Sequence, residues 1–186
     1  MSLIVRDGVL DDALTILAIA RNPLVAANQY RLGLSAETWF RQILSGQQIS
    51  PTLSHQIAVI ELDGIAVGYI HHIHHQSDEQ AEIHFGWNLH PGYWGKGVMP
   101  AAMSQLIEKL LREENCKTFV AECFRENARC IRVMEKLGFR PVPKSLYDRF
   151  VDAVSCLCLK WVLKYELKPE ECQCSTITTH LDARPA

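Results

Sequence analysis

The chain has 186 residues, 48% of them hydrophobic, and a formal net charge of −2 at pH 7. One domain is expected, since domains typically run to roughly 100–200 residues. A chain of this length also buries enough surface to fold without a disulfide framework or a structural metal. Lysine and arginine are scattered along the sequence rather than clustered. Nucleic-acid-binding domains usually carry a basic patch or stripe, so no nucleic-acid partner is expected.

The N-terminal segment does not have the features of a targeting sequence. It reads MSLIVRD, without a basic stretch followed by an apolar run. No stretch of about 18 apolar residues occurs anywhere in the sequence. We therefore expect neither a signal peptide nor a membrane-spanning helix, no membrane partner, and a cytoplasmic location.

Cysteine usage does not indicate disulfide bonding. The chain has 7 cysteines, an odd number, which argues against a disulfide framework. Five of them lie among apolar residues and are expected to act as small buried hydrophobes: Cys116, Cys123, Cys130, Cys156 and Cys158. Cys172 and Cys174 lie in a polar segment with the wrong spacing for a metal or redox pair, so their presence is read as incidental.

In chain order, the first predicted elements are one strand and two helices. Residues 3–5 form a short strand. Apolar residues then recur at helical spacing behind Asp11, which is placed to cap the first helix. Asn22-Pro23 closes that helix. A second helix begins at Ser35 and stops at Gly46.

A hairpin follows the helices. The dipeptide Asp63-Gly64 separates two apolar runs, residues 56–62 and 65–73. It favours a tight turn because both of its residues tolerate a positive φ.

A third strand is predicted over residues 81–89, after a polar loop at 76–80. Side chains alternate along a strand, so Glu82 and His84 share one face. The opposite face carries apolar side chains: Ile83, Phe85, Trp87 and Leu89.

The second half of the chain predicts two helices and two strands. An amphipathic helix runs from Pro100 to about Asn115, and a buried strand follows at 119–121. Asn127 caps the next helix, which Gly138 ends. A last long strand covers 151–163.

This order of elements predicts an α+β (mixed α/β) fold. Most strands of its central sheet are antiparallel, one crossover runs through the central helix, and about four helices flank the sheet. No internal repeat or linker divides the chain. We expect one domain over residues 1–168 and a polar, mobile tail over 169–186.

The segment between the third strand and the central helix has the features of an anion site. It reads Leu89-His90-Pro91-Gly92-Tyr93-Trp94-Gly95-Lys96-Gly97-Val98-Met99. First-turn amides of a helix have no intrahelical partner, and the helix dipole adds about half a positive charge there. The glycines let a pyrophosphate approach the main chain closely, and Lys96 adds a side-chain charge. A plain strand-to-helix turn is the alternative, and neither GxxxxGK[ST] nor a GxGxxG after the first strand is present.

Tyr93-Trp94-Gly95-Lys96-Gly97 resembles the acetyl-CoA loop of GNAT acetyltransferases, most closely the group that acetylates the alanine or serine N-termini of ribosomal proteins. Three further segments match that group in order. Ala81–Trp87 resembles its fourth strand, Asn127–Cys130 resembles the opening of its fourth helix, and Glu135–Phe139 resembles the end of that helix. The resemblance covers about residues 3–163, with dense motifs over 81–139.

The resemblance implies a GNAT-type fold, acetyl-CoA as the cofactor, and direct transfer of its acetyl group to an amine. The N-terminal amine of a protein, such as a ribosomal protein, is the favoured acceptor. Asn127 is expected to hydrogen-bond the pantetheine or a bound water besides capping its helix. Cys130 either packs in the core or donates a weak hydrogen bond near the CoA sulfur. The residues implied for the cofactor are Leu89, Trp94, Gly95, Lys96, Gly97, Val98, Met99, Asn127 and Cys130.

Three positions depart from the family pattern. Met99 stands where the loop usually ends in a small residue, and it either crowds the helix start or points into the core. Cys130 stands where the group often has serine. Met134 replaces the tyrosine that many members use as general acid, so the general acid is left open.

Two neighbours on the third strand are candidates for the catalytic base. Glu82 is favoured, acting directly or through a water. A structural ion pair, or an anchor for the substrate ammonium, is the alternative for that carboxylate. His84 shares its face, and histidine is a common general base in proteins, so it is the second candidate, as base or relay.

A run of histidines, His71, His72, His74 and His75, raises the question of a metal. On a strand, His71 and His75 share one face and His72 and His74 the other. No carboxylate or cysteine stands at ligand spacing. We therefore expect no metal, and expect these side chains to line the substrate cleft or the hairpin surface.

Two other functions are compatible with the sequence. One is acetylation of a small amine such as an antibiotic, a polyamine or an amino acid. The other is a non-catalytic acyl-CoA sensor, which the departures at Met99 and Met134 would suit. The sequence leaves the oligomeric state open, and a homodimer is compatible with it.

Overall fold

The computed structural model describes residues 2–28, 36–75, 82–113, 118–143 and 162–172. The strands in this part of the chain are β1 (Leu3–Asp7), β2 (Leu53–Leu62), β3 (Ile65–His75), β4 (Glu82–Leu89), β5 (Thr118–Phe124), β6 (Arg140–Val142) and β7 (Val162–Leu167). The α-helices are α1 (Ala13–Arg21), α2 (Pro23–Ala26), α3 (Ala36–Leu44), α4 (Val98–Glu113) and α5 (Ala128–Leu137). Among the described residues, no helix is long and apolar enough to cross a membrane.

One sheet of 7 strands organises the fold, in the order β1-β2-β3-β4-β5-β7-β6. Neighbouring strands are antiparallel except for β4 and β5, which run parallel. A parallel pair needs a crossover connection, and α4 provides it. The predicted mixed α/β fold, with a largely antiparallel sheet and one crossover through the central helix, is confirmed.

The hairpin between β2 and β3 is also confirmed. Asp63 and Gly64 have φ angles of +50° and +80°, the left-handed region that this tight turn requires. Both strands extend further from the turn than the sequence predicted, over 53–62 and 65–75.

Helices cover both faces of the sheet. One face packs against α4 and α5, with the main core between them, and Ile83, Phe85 and Leu89 of β4 lie in that core. The other face packs against α1 and α3, where Phe40 contributes a fully buried ring. The predicted apolar face of β4 is therefore the face toward α4.

The start of α1 differs from the prediction. The helix begins at Ala13 with Asp12 at its N-cap, so the prediction of Asp11 as the cap is wrong. A 3₁₀ turn at Leu10–Asp12 precedes the helix. The Asp12 carboxylate accepts a hydrogen bond from the Val9 amide at 2.8 Å and two from the Arg6 guanidinium, each at 2.8 Å. Asp12 is held by a partner from β1 that Asp11 does not have.

The end of α1 at Asn22 agrees with the prediction, whereas α2, β6 and the end of β7 were not predicted correctly. Asn22 ends α1 but also caps α2, because its Oδ1 accepts from the Leu24 amide at 3.1 Å. β6 had no sequence signal. β7 starts inside the predicted strand 151–163 and continues to Leu167, so the predicted end was wrong.

The ends of α5 agree with the prediction. Asn127 accepts a hydrogen bond from the Cys130 amide at 3.2 Å. Gly138 ends the helix with a φ of +93°. Past the last strand, Cys172 is half-buried and packs against the core, so it is not an incidental residue of a polar tail. Several predicted features lie outside the described residues: Ser35, the loop at 76–80, Ala81, Asn115, Cys116, most of the strand 151–163, Cys156, Cys158 and Cys174.

Candidate functional site

A cleft opens in the sheet where β4 and β5 separate. Among the described residues, the two strands pair from Glu82 beside Thr118 to Phe85 beside Ala121. Beyond that point β4 stays paired with β3 up to Leu89, and β5 stays paired with β7 up to Phe124. The strands therefore diverge toward their C-terminal ends, and a cavity of about 690 Å³ lies between them.

Most of the predicted site residues meet at this cleft. Those that line it are His84, Leu89, Trp94, Gly95, Gly97, Val98, Met99, Asn127 and Cys130. Glu82 and Lys96 are not among the lining residues. The ammonium of Lys96 instead lies 5.8 Å from the centroid of the Tyr93 ring.

The loop between β4 and α4 is anchored by its tryptophan. The indole Nε1 of Trp94 donates a hydrogen bond to the Leu89 carbonyl at 2.8 Å, which ties the loop to the end of β4. Gly95 and Gly97 follow with φ angles of +75° and +77°, a region that favours glycine. A Cβ placed on Gly95 would meet no atom within 4 Å, so its α-carbon faces open space.

Backbone amides are left without partners where the glycine loop meets α4. α4 begins at Val98, and its first intrahelical-type bond runs from the Ala101 amide to the Gly97 carbonyl at 3.2 Å. Within the part of the chain that is described, no acceptor pairs with the amides of Gly95, Gly97 and Val98. These donors suit a phosphate oxygen at a helix N-terminus.

Met99 does not crowd this loop. It is 4% exposed and packs in the core between the sheet and α4.

Glu82 and His84 form a pair on β4, of which His84 reaches the cleft. Oε2 of Glu82 lies 3.2 Å from Nε2 of His84, and the two side chains are 27% and 32% exposed. Since His84 lines the cleft and Glu82 does not, the carboxylate stands behind the imidazole.

Thiols occupy the start of α5 and the adjacent part of β5. Cys123 and Cys130 are free cysteines that line the cleft. The hydrogen bond with Cys123, together with burial, raises the pKa of the Cys130 thiol well above its usual range. Cys130 therefore keeps its proton at neutral pH. Met134, at the position of the missing tyrosine, is fully buried in the core and does not line the cleft.

The α3 side of the cleft is an aromatic wall, of which only His71 was predicted from the sequence to line the cleft or the hairpin surface. Trp39 lies edge-on to His71, with ring centroids 4.9 Å apart. Nε2 of His71 is 3.1 Å from Nδ1 of His55. Burial, and secondarily His55, lowers the pKa of His71 to about 3, so this imidazole is neutral at physiological pH.

A polar pair completes that wall. The amide Nδ2 of Asn88 donates to the hydroxyl of Tyr69 at 2.7 Å. Burial raises the pKa of Tyr69, which therefore stays protonated. The sequence placed both residues on strands, but nothing in it indicated that they meet.

The histidine run is divided between the two faces of β3, as its alternation predicted. His71 faces the cleft, whereas Nδ1 of His72 lies 2.7 Å from Nε2 of His74 on the α4 side. His72 is 2% exposed, so the expectation that it lines the cleft or the surface is wrong. The side chain of His75 lies outside the described part of the structure. Among the described residues, no group of three potential ligands is placed to hold a metal.

Solved structures share this fold. RimJ from Mycobacterium smegmatis, solved with CoA-disulfide, has 20% identity and a TM-score of 0.72, with 91% of this chain and 83% of that chain covered. The ribosomal-protein-S5-alanine acetyltransferase of Vibrio fischeri has 17% identity and a TM-score of 0.71, with 92% and 95% covered. A GNAT-family acetyltransferase from Bacillus anthracis has 22% identity and a TM-score of 0.69, with 92% and 97% covered. At these identities the similarity establishes the fold.

The sequence itself also matches a known family. No individual curated protein matches the sequence, whereas one family model does. The family model described as an acetyltransferase (GNAT) domain matches residues 2–140, which is most of the chain. The chain therefore belongs to the GNAT acetyltransferase family, whose members use acetyl-CoA.

Proposed function

We propose that this protein transfers the acetyl group of acetyl-CoA to the N-terminal amine of a protein, such as a ribosomal protein. The cleft where β4 and β5 separate carries the proposal. Its one continuous surface joins the glycine loop at 95–97, the protonated thiol of Cys130 and the imidazole of His84. An anion cradle, a donor and a base are the groups that acyl transfer from a CoA thioester requires.

The loop residues fit the cofactor. The open space in front of Gly95 is where a Cβ would stand in any other residue, and it leaves room for a pyrophosphate against the main chain. The amides of Gly95, Gly97 and Val98 would hold that group. Asn127 at the start of α5 and Leu89 at the end of β4 line the cleft on either side of it. When bound, acetyl-CoA supplies a thioester whose acetyl group is activated toward an amine.

His84 takes the proton of the acceptor ammonium in this proposal. It lines the cleft, whereas Glu82 reaches the cleft only through it. The Glu82 carboxylate, 3.2 Å from Nε2, holds the ring and stabilises the imidazolium once the proton has moved. Glu82 is in this view a positioning residue, and the role of base passes to its neighbour.

The separated edge of β4 and the thiol of Cys130 supply the remaining donors. Past Phe85, the edge of β4 that faces β5 has no strand partner in the described structure. Main-chain amides of this segment are fixed by pairing with β3 and can stabilise charge on a carbonyl oxygen. Cys130 retains its proton, and rotation of its thiol away from Cys123 would direct that proton to the departing sulfur as a weak hydrogen bond.

Two observations support a protein N-terminus as the acceptor. The fold is similar to that of the S5-alanine acetyltransferase and of RimJ, with TM-scores of 0.71 and 0.72. The motifs around the loop also resemble the group that acetylates ribosomal-protein N-termini.

The test is an acceptor screen by mass spectrometry with purified protein and acetyl-CoA. Peptides with free N-termini should gain one acetyl group, and the same peptides blocked at the N-terminus should not. Acetylation of small amines with all peptides unmodified would refute the protein acceptor. Binding of acetyl-CoA without transfer to any amine would refute catalysis and favour a sensor.

A further inference from the structure

A basic face of α5 borders the cleft. Arg129, Arg132 and Lys136 are spaced by three and four residues, so they project from one side of the helix. All three are exposed, and all three line the cleft. None of them forms an ion pair with a carboxylate in the described part of the chain. These cations are therefore available to a ligand.

This basic face starts at the glycine loop. The guanidinium carbon of Arg129 lies 4.7 Å from the centroid of the Trp94 ring, and Trp94 directly precedes Gly95. Lys136 is about 10 Å further along the helix, at 1.5 Å per residue. Lys96, the cation within the loop itself, lies against Tyr93 and does not line the cleft. Positive side chains next to the cradle thus come from α5.

We propose that Arg132 and Lys136 bind the 3′-phosphate of CoA. This inference rests on the proposed function, because it assumes that the loop holds the pyrophosphate. CoA carries a further anionic group, a phosphate monoester on its ribose. Such a group has a charge of about −1.5 to −2 at neutral pH and three acceptor oxygens. In this arrangement main-chain amides bind the pyrophosphate, and charged side chains bind the phosphate monoester. Arginine can bind such a group through two parallel hydrogen bonds.

Arg129 has a different part in this arrangement. Its guanidinium is stacked over the Trp94 ring, so Arg129 lies where the glycine loop meets the basic face.

The proposal predicts that the protein distinguishes CoA from dephospho-CoA, which lacks the 3′-phosphate and is otherwise identical.

The experiment is calorimetric titration of the full chain, without acceptor, with CoA and with dephospho-CoA. Wild-type protein should bind dephospho-CoA about tenfold more weakly, the scale of one or two charge-assisted hydrogen bonds at an exposed site. The variant R132Q/K136Q should lose about the same factor for CoA and nothing for dephospho-CoA. Its ratio of the two affinities should therefore approach one.

The control is R21Q/R112Q, which removes the same charge from two exposed arginines outside the cleft. It should leave the tenfold ratio unchanged. Equal affinities of wild-type protein for the two ligands would overturn the 3′-phosphate site while leaving the proposed function intact. An equal loss for both ligands in R132Q/K136Q would overturn it as well. Failure to bind either ligand would instead refute the proposed function.

Discussion

The Oε2 atom of Glu82 lies 3.2 Å from Nε2 of His84, two residues along the same face of β4. Of this pair, His84 lines the cleft and Glu82 does not. The pair therefore has a direction, with the imidazole toward the cleft and the carboxylate behind it. A carboxylate in that place orients a histidine base without taking up the proton itself.

Substitution of each member separates the two roles. H84Q should lower kcat about 100-fold, the usual contribution of a general base, with little change in the Kd for CoA. E82Q should lower kcat less, by about tenfold, because it removes the group that orients the ring and leaves the base. Steady-state kinetics at saturating acetyl-CoA measure both effects. E113Q, which changes an exposed glutamate outside the cleft, is the control. Turnover that is unchanged in H84Q but lost in E82Q would make the carboxylate the base.

A second prediction concerns the ion pair that replaces the expected helix cap. Hydrogen bonds from Arg6 lower the pKa of Asp12, burial opposes them, and the Val9 amide lowers the pKa further. A carboxyl whose pKa is lowered by folding stabilises the protein above its unfolded pKa of about 3.9. That stabilisation is lost as the pH falls through the folded-state pKa.

D12N should therefore lower the free energy of unfolding by about 2 kcal/mol at pH 7. The difference from wild type should shrink as the pH falls below about 4. Urea unfolding of D12N and of wild type, at pH 7 and again below about pH 4, measures this difference in the free energy of unfolding. D11N is the matched control, since the Asp11 carboxylate has no part in these contacts, and a loss in D11N equal to that in D12N would contradict the assignment.

Local signals predicted the turns and caps because their causes lie within a few residues. The positive φ of Asp63 and Gly64, the cap by Asn127 and the left-handed Gly138 all follow from short-range chemistry. Asp11 and Asp12 are equivalent by that standard. What separates them is Arg6 on β1, a partner that no local rule contains.

The wall of the cleft could not be predicted for the same reason. Tyr69 meets Asn88 because the register of β3 and β4 places them opposite each other. That register is set by the whole sheet rather than by either residue. The glycine loop could likewise be predicted from the sequence. The point after Phe85 where β4 separates from β5 could not, because it depends on the pairing of β4 with β3 and of β5 with β7.

A third prediction follows from the buried histidine of β3. Burial lowers the pKa of His72 to about 3, with further lowering by the charges of His74, His71 and Lys109. Below the ordinary pKa of about 6.5, the unfolded chain binds a proton that the folded protein does not bind. Stability therefore falls as the pH drops from about 6.5 toward 3.

Between about pH 7 and 5, His72 should account for about 2 kcal/mol of the loss in the free energy of unfolding. H72Q removes the titrating group, and its amide can still hydrogen-bond His74. The variant should thus lose less stability than wild type over this range, as measured by urea unfolding at the two pH values. The pKa of His71 is lowered as well, but this residue is present in both wild type and H72Q and contributes the same loss of stability to each. Parallel losses in wild type and H72Q would refute the assignment.

The last prediction uses two glycines with nearly the same backbone. Gly95 and Gly46 have φ angles of +75° and +73°, and a Cβ on either would meet no atom within 4 Å. Alanine at either position should therefore cost about the same backbone strain, on the order of 1 kcal/mol.

Of the two glycines, only Gly95 lines the cleft, where the added methyl group would occupy the space in front of the loop amides. G95A should weaken CoA binding at least about tenfold, since the pyrophosphate can no longer reach the main chain. G46A should lower the melting temperature about as much as G95A does, but it should leave the Kd for CoA unchanged. Because strain is matched between the two variants, equal CoA affinities in calorimetry would show that the phosphate does not approach Gly95.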